Sequence, residues 1–192
     1  RIVPILSRFR QTYPGVALDV RLTDEVVDLI GQGIDIAIRS GPLRSSELKS
    51  IRLYETRRVI VASQQYVAAF GIPDQPEDLT DHNWVMYSRV PETLRLAQGD
   101  QERKIPVSGS VQVDSATARL QFLRDGHGMA VVPFSDVADD IANGDLMRVL
   151  PDWSLPDLSV YAVYSGDVMR SSKVKTLLDF LRAQLADIDE SR

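Results

Sequence analysis

The sequence predicts an α/β protein of two Rossmann-like lobes joined by two crossover strands, with the first strand of the first lobe missing. Three observations lead there. Residues 107–133 read as strand, helix, strand. The first forty residues read as helix, strand, helix, strand, a βα alternation without its leading strand. No Pro/Gly/Ser-rich linker separates the lobes, as expected of a chain that crosses between them through strands. The crossing candidates are 57–63 going out and 160–164 coming back. Lobe 1 is then 1–60 with 165–192, and lobe 2 is 61–164.

Each element has a local reason. Ile2, Ile5, Leu6 and Phe9 form an i, i+3, i+4, i+7 stripe, so 1–13 is an amphipathic helix. Tyr13-Pro14-Gly15 ends it. Residues 16–22 alternate as a strand. Thr23 and Asp24 cap a second helix with Val26, Val27, Leu29 and Ile30 on its apolar face, closed by Gly31 and Gly33. Residues 34–38 are a strand, followed by the loop Arg39-Ser40-Gly41-Pro42. Strands at 49–54 and 57–63 precede a helix at 64–70, and Pro76 opens a single helical turn. Residues 84–87 are a strand, and 89–101 a strand pair turning at Gly99-Asp100.

In 107–133, Val107, Val111 and Val113 make the first strand. Asp114 and Ser115 offer an N-cap, and Ala116, Leu120, Phe122 and Leu123 the apolar stripe. Gly126 and Gly128 end the helix, and 129–132 is a short buried strand stopped by Pro133. A helix at 135–142, strands at 146–150 and 158–164, and a last helix with Val174, Leu177, Leu178, Leu181, Leu185 and Ile188 on one face complete the chain.

The 192 residues suffice for two small cores, and the net charge is −5. Basic residues are scattered, which argues against a duplex-gripping surface on this chain. There is no cysteine, so disulfides and thiolate metal sites are excluded. That suits a reducing compartment, and the expected location is the cytoplasm. No apolar run approaches the roughly 18 residues of a membrane span. The chain starts at Arg1 and runs straight into a helical pattern, so the expectation is a fragment of a longer chain.

Reactive chemistry finds little support. Neither His82 nor His127 neighbours a nucleophile elbow. Asp136, Asp139, Asp140 and Asp145 lack calcium-loop spacing and read as a solvated face. The Gly-x-Gly pairs follow helices, so they are C-caps and not dinucleotide turns. No metal and no cofactor is expected. What remains is a set of loops at the carboxyl ends of strands: Thr23-Asp24, Arg39-Ser40-Gly41, Ser88-Arg89, Asp114-Ser115-Ala116-Thr117 and Pro133-Phe134. Hydroxyls, guanidinium groups and helix N–H groups suit binding a small polar molecule better than transforming it. Several of these residues would equally serve as ordinary helix caps. Asp114 weighs against a strongly anionic ligand, because its charge sits at the same helix start.

Val3-Pro4-Ile5-Leu6 through Phe9, Tyr13-Pro14 and Val16 resembles the first helix and turn of LysR-type transcriptional regulator effector domains. Val26-Val27-Asp28-Leu29 to Gly33-Ile34-Asp35-Ile36-Ala37-Ile38-Arg39 is similar to that family's most recognisable segment. Glu77-Asp78-Leu79, Gly126-x-Gly128-Met129-Ala130-Val131-Val132-Pro133 and Gly144-x-Leu146 match as well. Ser40-Gly41-Pro42-Leu43, Pro151-Asp152-Trp153 and Val160-Tyr161-Ala162-Val163-Tyr164 resemble the CrgA-like group. The resemblance implies a type 2 periplasmic-binding-protein-like fold with an effector between its lobes. It implies a DNA-binding helix-turn-helix domain outside this chain, and contact with DNA only through that domain. It also implies a homodimer pairing 1–13 with the partner's 117–125, and a tetramer in the full-length protein. Effector contacts carried over by motif are Thr23, Arg39 or Ser40, Ser88 and 114–117. The implied effector is a small molecule, with carboxylates and aromatic metabolites as the classes to try. An extracytoplasmic solute-binding protein of the same fold is the competing reading, and an enzyme on this scaffold the third.

Overall fold

In the computed structural model the first helix forms where the apolar stripe places it. The structure describes residues 2–25, 27–41, 48–88 and 90–185. Val26, Pro42, Leu43, Arg89 and Ile188, each part of an expectation above, lie outside them. The described chain divides into two units, Arg1–Thr56 with Leu158–Arg192, and Arg57–Asp157.

In the first unit, α1 (Ile2–Thr12) buries Ile5 and Phe9. Phe9 meets Phe180 edge-on at 5.4 Å between ring centroids. Phe180 belongs to α5 (Ser172–Leu185), whose Val174, Leu178, Leu181 and Leu185 are buried as the periodicity requires. The sheet beneath runs β1 (Ala37–Ser40), β10 (Leu158–Tyr164), β2 (Lys49–Thr56), antiparallel throughout. A register shift lies between Val160 and Tyr161. The whole of β10 belongs to this unit, as the central strand of its sheet.

Three expectations fail here. Residues 16–22 form no strand, and the capped helix after them does not form. The strand expected at 34–38 starts only at Ala37 and takes in Arg39 and Ser40 from the expected loop after it. A strand needs a neighbour for its N–H and C=O groups, and no described strand runs beside 16–22. Val20 and Leu22 stay exposed, Leu22 at 81%. In the helix segment, Asp28 Oδ1 accepts the Gly31 N–H at 3.1 Å, a local bond that competes with helix propagation. Gly33 then turns with φ +63°. What forms is a turn that buries Leu29 alone and leaves Ile30 two-thirds exposed, with Ile34 N–H bonded to Leu29 O.

The second unit is one continuous stretch. Its β3 (Arg58–Ser63) lies antiparallel between β8 (Ala130–Pro133) and β9 (Leu146–Val149). Ser63 caps α2 (Gln64–Phe70), accepting the Tyr66 N–H at 3.2 Å. A 3-10 turn spans Pro76–Asp81. β5 (Thr93–Gln98) and β6 (Gln101–Pro106) form a hairpin that turns at Gly99-Asp100 as expected, but its second strand runs past the expected 89–101 to Pro106. Residues 135–142 are not one helix: a 3-10 turn at Phe134–Asp136 precedes α4 (Ala138–Asn143). Asp140 of α4 takes both Nε and Nη2 of Arg124, at 3.2 and 2.8 Å.

The stretch 107–133 does form strand, helix, strand: β7 (Val111–Val113), α3 (Ala116–Arg124), β8, but Val107 lies outside β7 and is buried in the core before it. Its two strands are not neighbours. β4 (Val85–Tyr87) runs parallel to β7, and a parallel bridge Trp84–Met129 joins β4 to β8 on its other side. The approach is close enough to demand glycine. A Cβ at Gly128 would sit 2.6 Å from the Asn83 carbonyl oxygen, and one at Gly109 would overlap the Trp84 carbonyl. Gly126 is the helix stop, its N–H bonded to Leu123 O with φ +79°.

Candidate functional site

The expected binding residues divide between the two units. In the first unit, Thr23 is exposed and its Oγ1 accepts the Glu25 N–H at 3.1 Å. Thr23 and Asp24 therefore cap no helix. Arg39, half-buried on β1, donates from Nη2 to Val27 O at 2.6 Å. That bond ties Val27, three residues beyond Asp24, to β1. Ser40 is exposed at the strand end, and Gly41, with φ +88°, bonds its N–H to Ser159 O at 3.0 Å.

In the second unit the parallel order β7, β4, β8 brings three carboxyl ends together. Ser88 follows β4 and donates its N–H to Val113 O at 3.0 Å. Val113 ends β7 and leads through Asp114 into α3. Ser115 is the N-cap, with φ −107° and ψ 126°, and its Oγ accepts the Ala118 N–H at 3.4 Å. Ala116 is half-buried, while Asp114 and Thr117 are exposed. Pro133 ends β8 and is half-buried. The structure thus gathers Ser88, Asp114, Ser115, Ala116, Thr117 and Pro133 along one sheet edge, with a helix N-terminus among them.

One residue at this edge escapes a reading by type. Arg119 is 4% exposed. Its Nη1 donates to Val131 O at 2.8 Å, and its guanidinium lies 4.4 Å from the Tyr87 ring centroid. Its backbone N–H closes the first turn on Ser115 O at 3.0 Å. The available signal was spacing: Arg119 stands four residues before Leu123, in line with the buried stripe. Trp84, Tyr87, Leu94, Val107 and Arg119 border a hollow of about 10 Å³, room for about one water. A drug-sized ligand needs hundreds of Å³.

Behind the edge, Asn83 fastens the amino-terminal ends of the same strands. Its Nδ2 donates to His127 O at 2.6 Å and to Ser110 Oγ at 3.0 Å, and its Oδ1 accepts the Ser110 N–H at 2.9 Å. Its backbone N–H reaches the Tyr66 hydroxyl at 2.9 Å, which also meets His82 Nδ1 at 3.1 Å. Both histidines are thus engaged around this polar network: His82 through its ring, His127 through its carbonyl. Burial pushes the Tyr66 hydroxyl above its ordinary value, against the bond from Asn83.

Two α/β units threaded twice by one chain, with polar residues gathered at strand ends, define a two-lobed domain of the binding-protein class. The chain belongs to the LysR substrate binding domain family, whose model matches residues 1–186. It is 31% identical to the HTH-type transcriptional regulator PtxR of Pseudomonas aeruginosa over 96% of its length and 60% of that protein. It is equally 31% identical to the HTH-type transcriptional activator AaeR of Escherichia coli, again over 60% of that protein. The chain therefore spans about 60% of the curated relatives it matches. Among solved structures it resembles the regulatory domain of CrgA, a LysR-type transcriptional regulator from Neisseria meningitidis. The TM-score is 0.85 at 26% identity, covering 96% of this chain and 91% of that one. The fold is the two-lobed, periplasmic-binding-protein-like architecture of LysR regulatory domains.

Proposed function

We propose that the chain is the effector-sensing and dimerisation domain of a bacterial transcription regulator, with DNA contacted through a separate helix-turn-helix domain. The observation that carries this reading is the family match across 1–186. The effector contacts are Thr23, Asp24, Arg39, Ser40 and Gly41 in the first unit and Ser88, Asp114, Ser115, Ala116, Thr117 and Pro133 in the second. Support comes from the position of all but Thr23 and Asp24 at or beside strand ends, where open α/β sheets take ligands. The effector is a small carboxylate or aromatic metabolite, held by hydroxyls and N–H groups. An effector that binds one arrangement of the domain better than another shifts the population and, through the dimer, the DNA-binding pair. The role is sensing without turnover. It is exercised in the cytoplasm, and no described helix is long and apolar enough to cross a membrane.

A thermal-shift screen of the 192-residue chain against benzoate, salicylate, succinate and malate tests the reading. An effector at 100 times its dissociation constant should raise stability by about 2.7 kcal/mol. Substituting Ser115 and Thr117 by alanine should abolish the shift. A shift that survives both substitutions refutes the assigned contacts, and silence from every compound refutes the effector class.

A further inference from the structure

We infer that Arg119 is a positioning residue, whose buried guanidinium holds the three loops of the second-unit edge in one arrangement. Two attachments are made by the guanidinium, and the third loop is joined through the place of Arg119 in α3. Its Nη1 bonds Val131 O at 2.8 Å, two residues before Pro133. Its guanidinium lies over the Tyr87 ring, 4.4 Å from the centroid, and Tyr87 is the residue before Ser88. Its own backbone closes the turn that Ser115 caps. One side chain therefore touches the ends of β4 and β8 from the start of α3. The edge residues themselves are exposed or half-buried, and no single one spans all three elements.

Packing alone does not ask for arginine here. The neighbours bordering the hollow are Trp84, Val90, Leu94 and Val107, and an unbranched apolar side chain of similar length would fill the same space. Burying a guanidinium carries a desolvation penalty, met here by the carbonyl bond and the ring face. What arginine adds over methionine is direction: a planar fork aimed at one carbonyl, and a cation held over one ring. The result is a fixed relation between Ser88, Ser115 and Pro133. The role assigned to Arg119 rests on the effector reading of this edge. The test uses no effector, so its failure is distinguishable from failure of that reading.

Amide hydrogen exchange on the 192-residue chain, wild type against Arg119→Met and Arg119→Lys, decides it. In Arg119→Met the N–H groups of Ser88, Ala118 and Phe134 should exchange about tenfold faster, equivalent to about 1.4 kcal/mol of local opening. Those of Ile60 and Val149, in the β3–β9 pair, should keep wild-type rates. Arg119→Lys retains the charge and a donor for Val131 O, and should recover part of the protection. A uniform rise across residues 57–157 would make Arg119 a plain stability residue and overturn the inference. Unchanged rates at Ser88, Ala118 and Phe134 would overturn it as well. If Arg119→Met does not fold, Arg119→Lys carries the same comparison: faster exchange confined to the three loops supports the role, and a uniform or absent change overturns it.

Discussion

Asn83→Ala offers a direct test of how the second unit is held together. The substitution removes two bonds from Nδ2, to His127 O and Ser110 Oγ, and one bond to Oδ1 from the Ser110 N–H. At about 1 kcal/mol net for each bond, the sum is about 3 kcal/mol, and water at this half-buried site reduces the expected loss to about 2 kcal/mol. Both tryptophans, Trp84 and Trp153, lie in 57–157, so fluorescence reports this unit's unfolding selectively. Urea titration should show the midpoint falling with the slope unchanged, and the melting temperature of this transition should drop by about 10 °C. Asn83→Asp is the sharper control. It keeps an acceptor for the Ser110 N–H but turns an oxygen toward the His127 carbonyl, so it should destabilise more than alanine does. An Asn83→Ala variant within about 0.5 kcal/mol of wild type, or an aspartate variant as stable as the alanine one, would refute the account.

The other predictions concern a carboxylate and a tether. Asp78 accepts bonds from the Gln75 side chain, the Gln75 N–H and the Asp74 N–H, and these hold its carboxyl below its ordinary value of 3.8. A depressed carboxylate stabilises the fold above the unfolded-state value, and that contribution is lost as pH falls through the folded-state value. An NMR titration of the Asp78 carboxyl should therefore have its midpoint below 3.8, and a midpoint at or above it would contradict the bonding described. Arg39→Ala removes the 2.6 Å tether to Val27 O. Tryptic cleavage after Arg21 should accelerate about tenfold, as expected for the loss of one charged hydrogen bond. The tryptophan-detected transition should stay unchanged, and an unchanged cleavage rate would show that other contacts hold the segment.

Where local chemistry and tertiary pairing agree, the sequence was legible. The α2 bounds match the expected 64–70, the hairpin turn the expected Gly99-Asp100, and the last helix its leucine spacing. It misled at 16–31, because alternation describes a side-chain pattern and cannot supply a hydrogen-bonding neighbour. The Thr23-Asp24 cap signal failed for a related reason, since Asp28 satisfies a backbone N–H locally before a helix can propagate. At the candidate edge, Ser115 could be read as a cap directly from its type. Arg119 could not, because a charged residue on a helix is assigned to solvent until the fold shows what lies beneath it. The same limit hid Asn83, whose partners Ser110 and His127 are distant in sequence.

The second unit is an uninterrupted stretch, whereas the first is assembled from two segments that flank it. The central strand of the first sheet, β10, is the last strand among the described residues. As the polypeptide leaves the ribosome, 57–157 can complete its own sheets without waiting for anything downstream. The opening segment has to wait, with β1 and β2 lacking the strand that joins them until residues 158–164 arrive. Closing that long loop makes the first unit the late folder. A nascent or truncated chain that stops before β10 would expose Ile5, Leu53 and Phe9 together, the surface most prone to premature association.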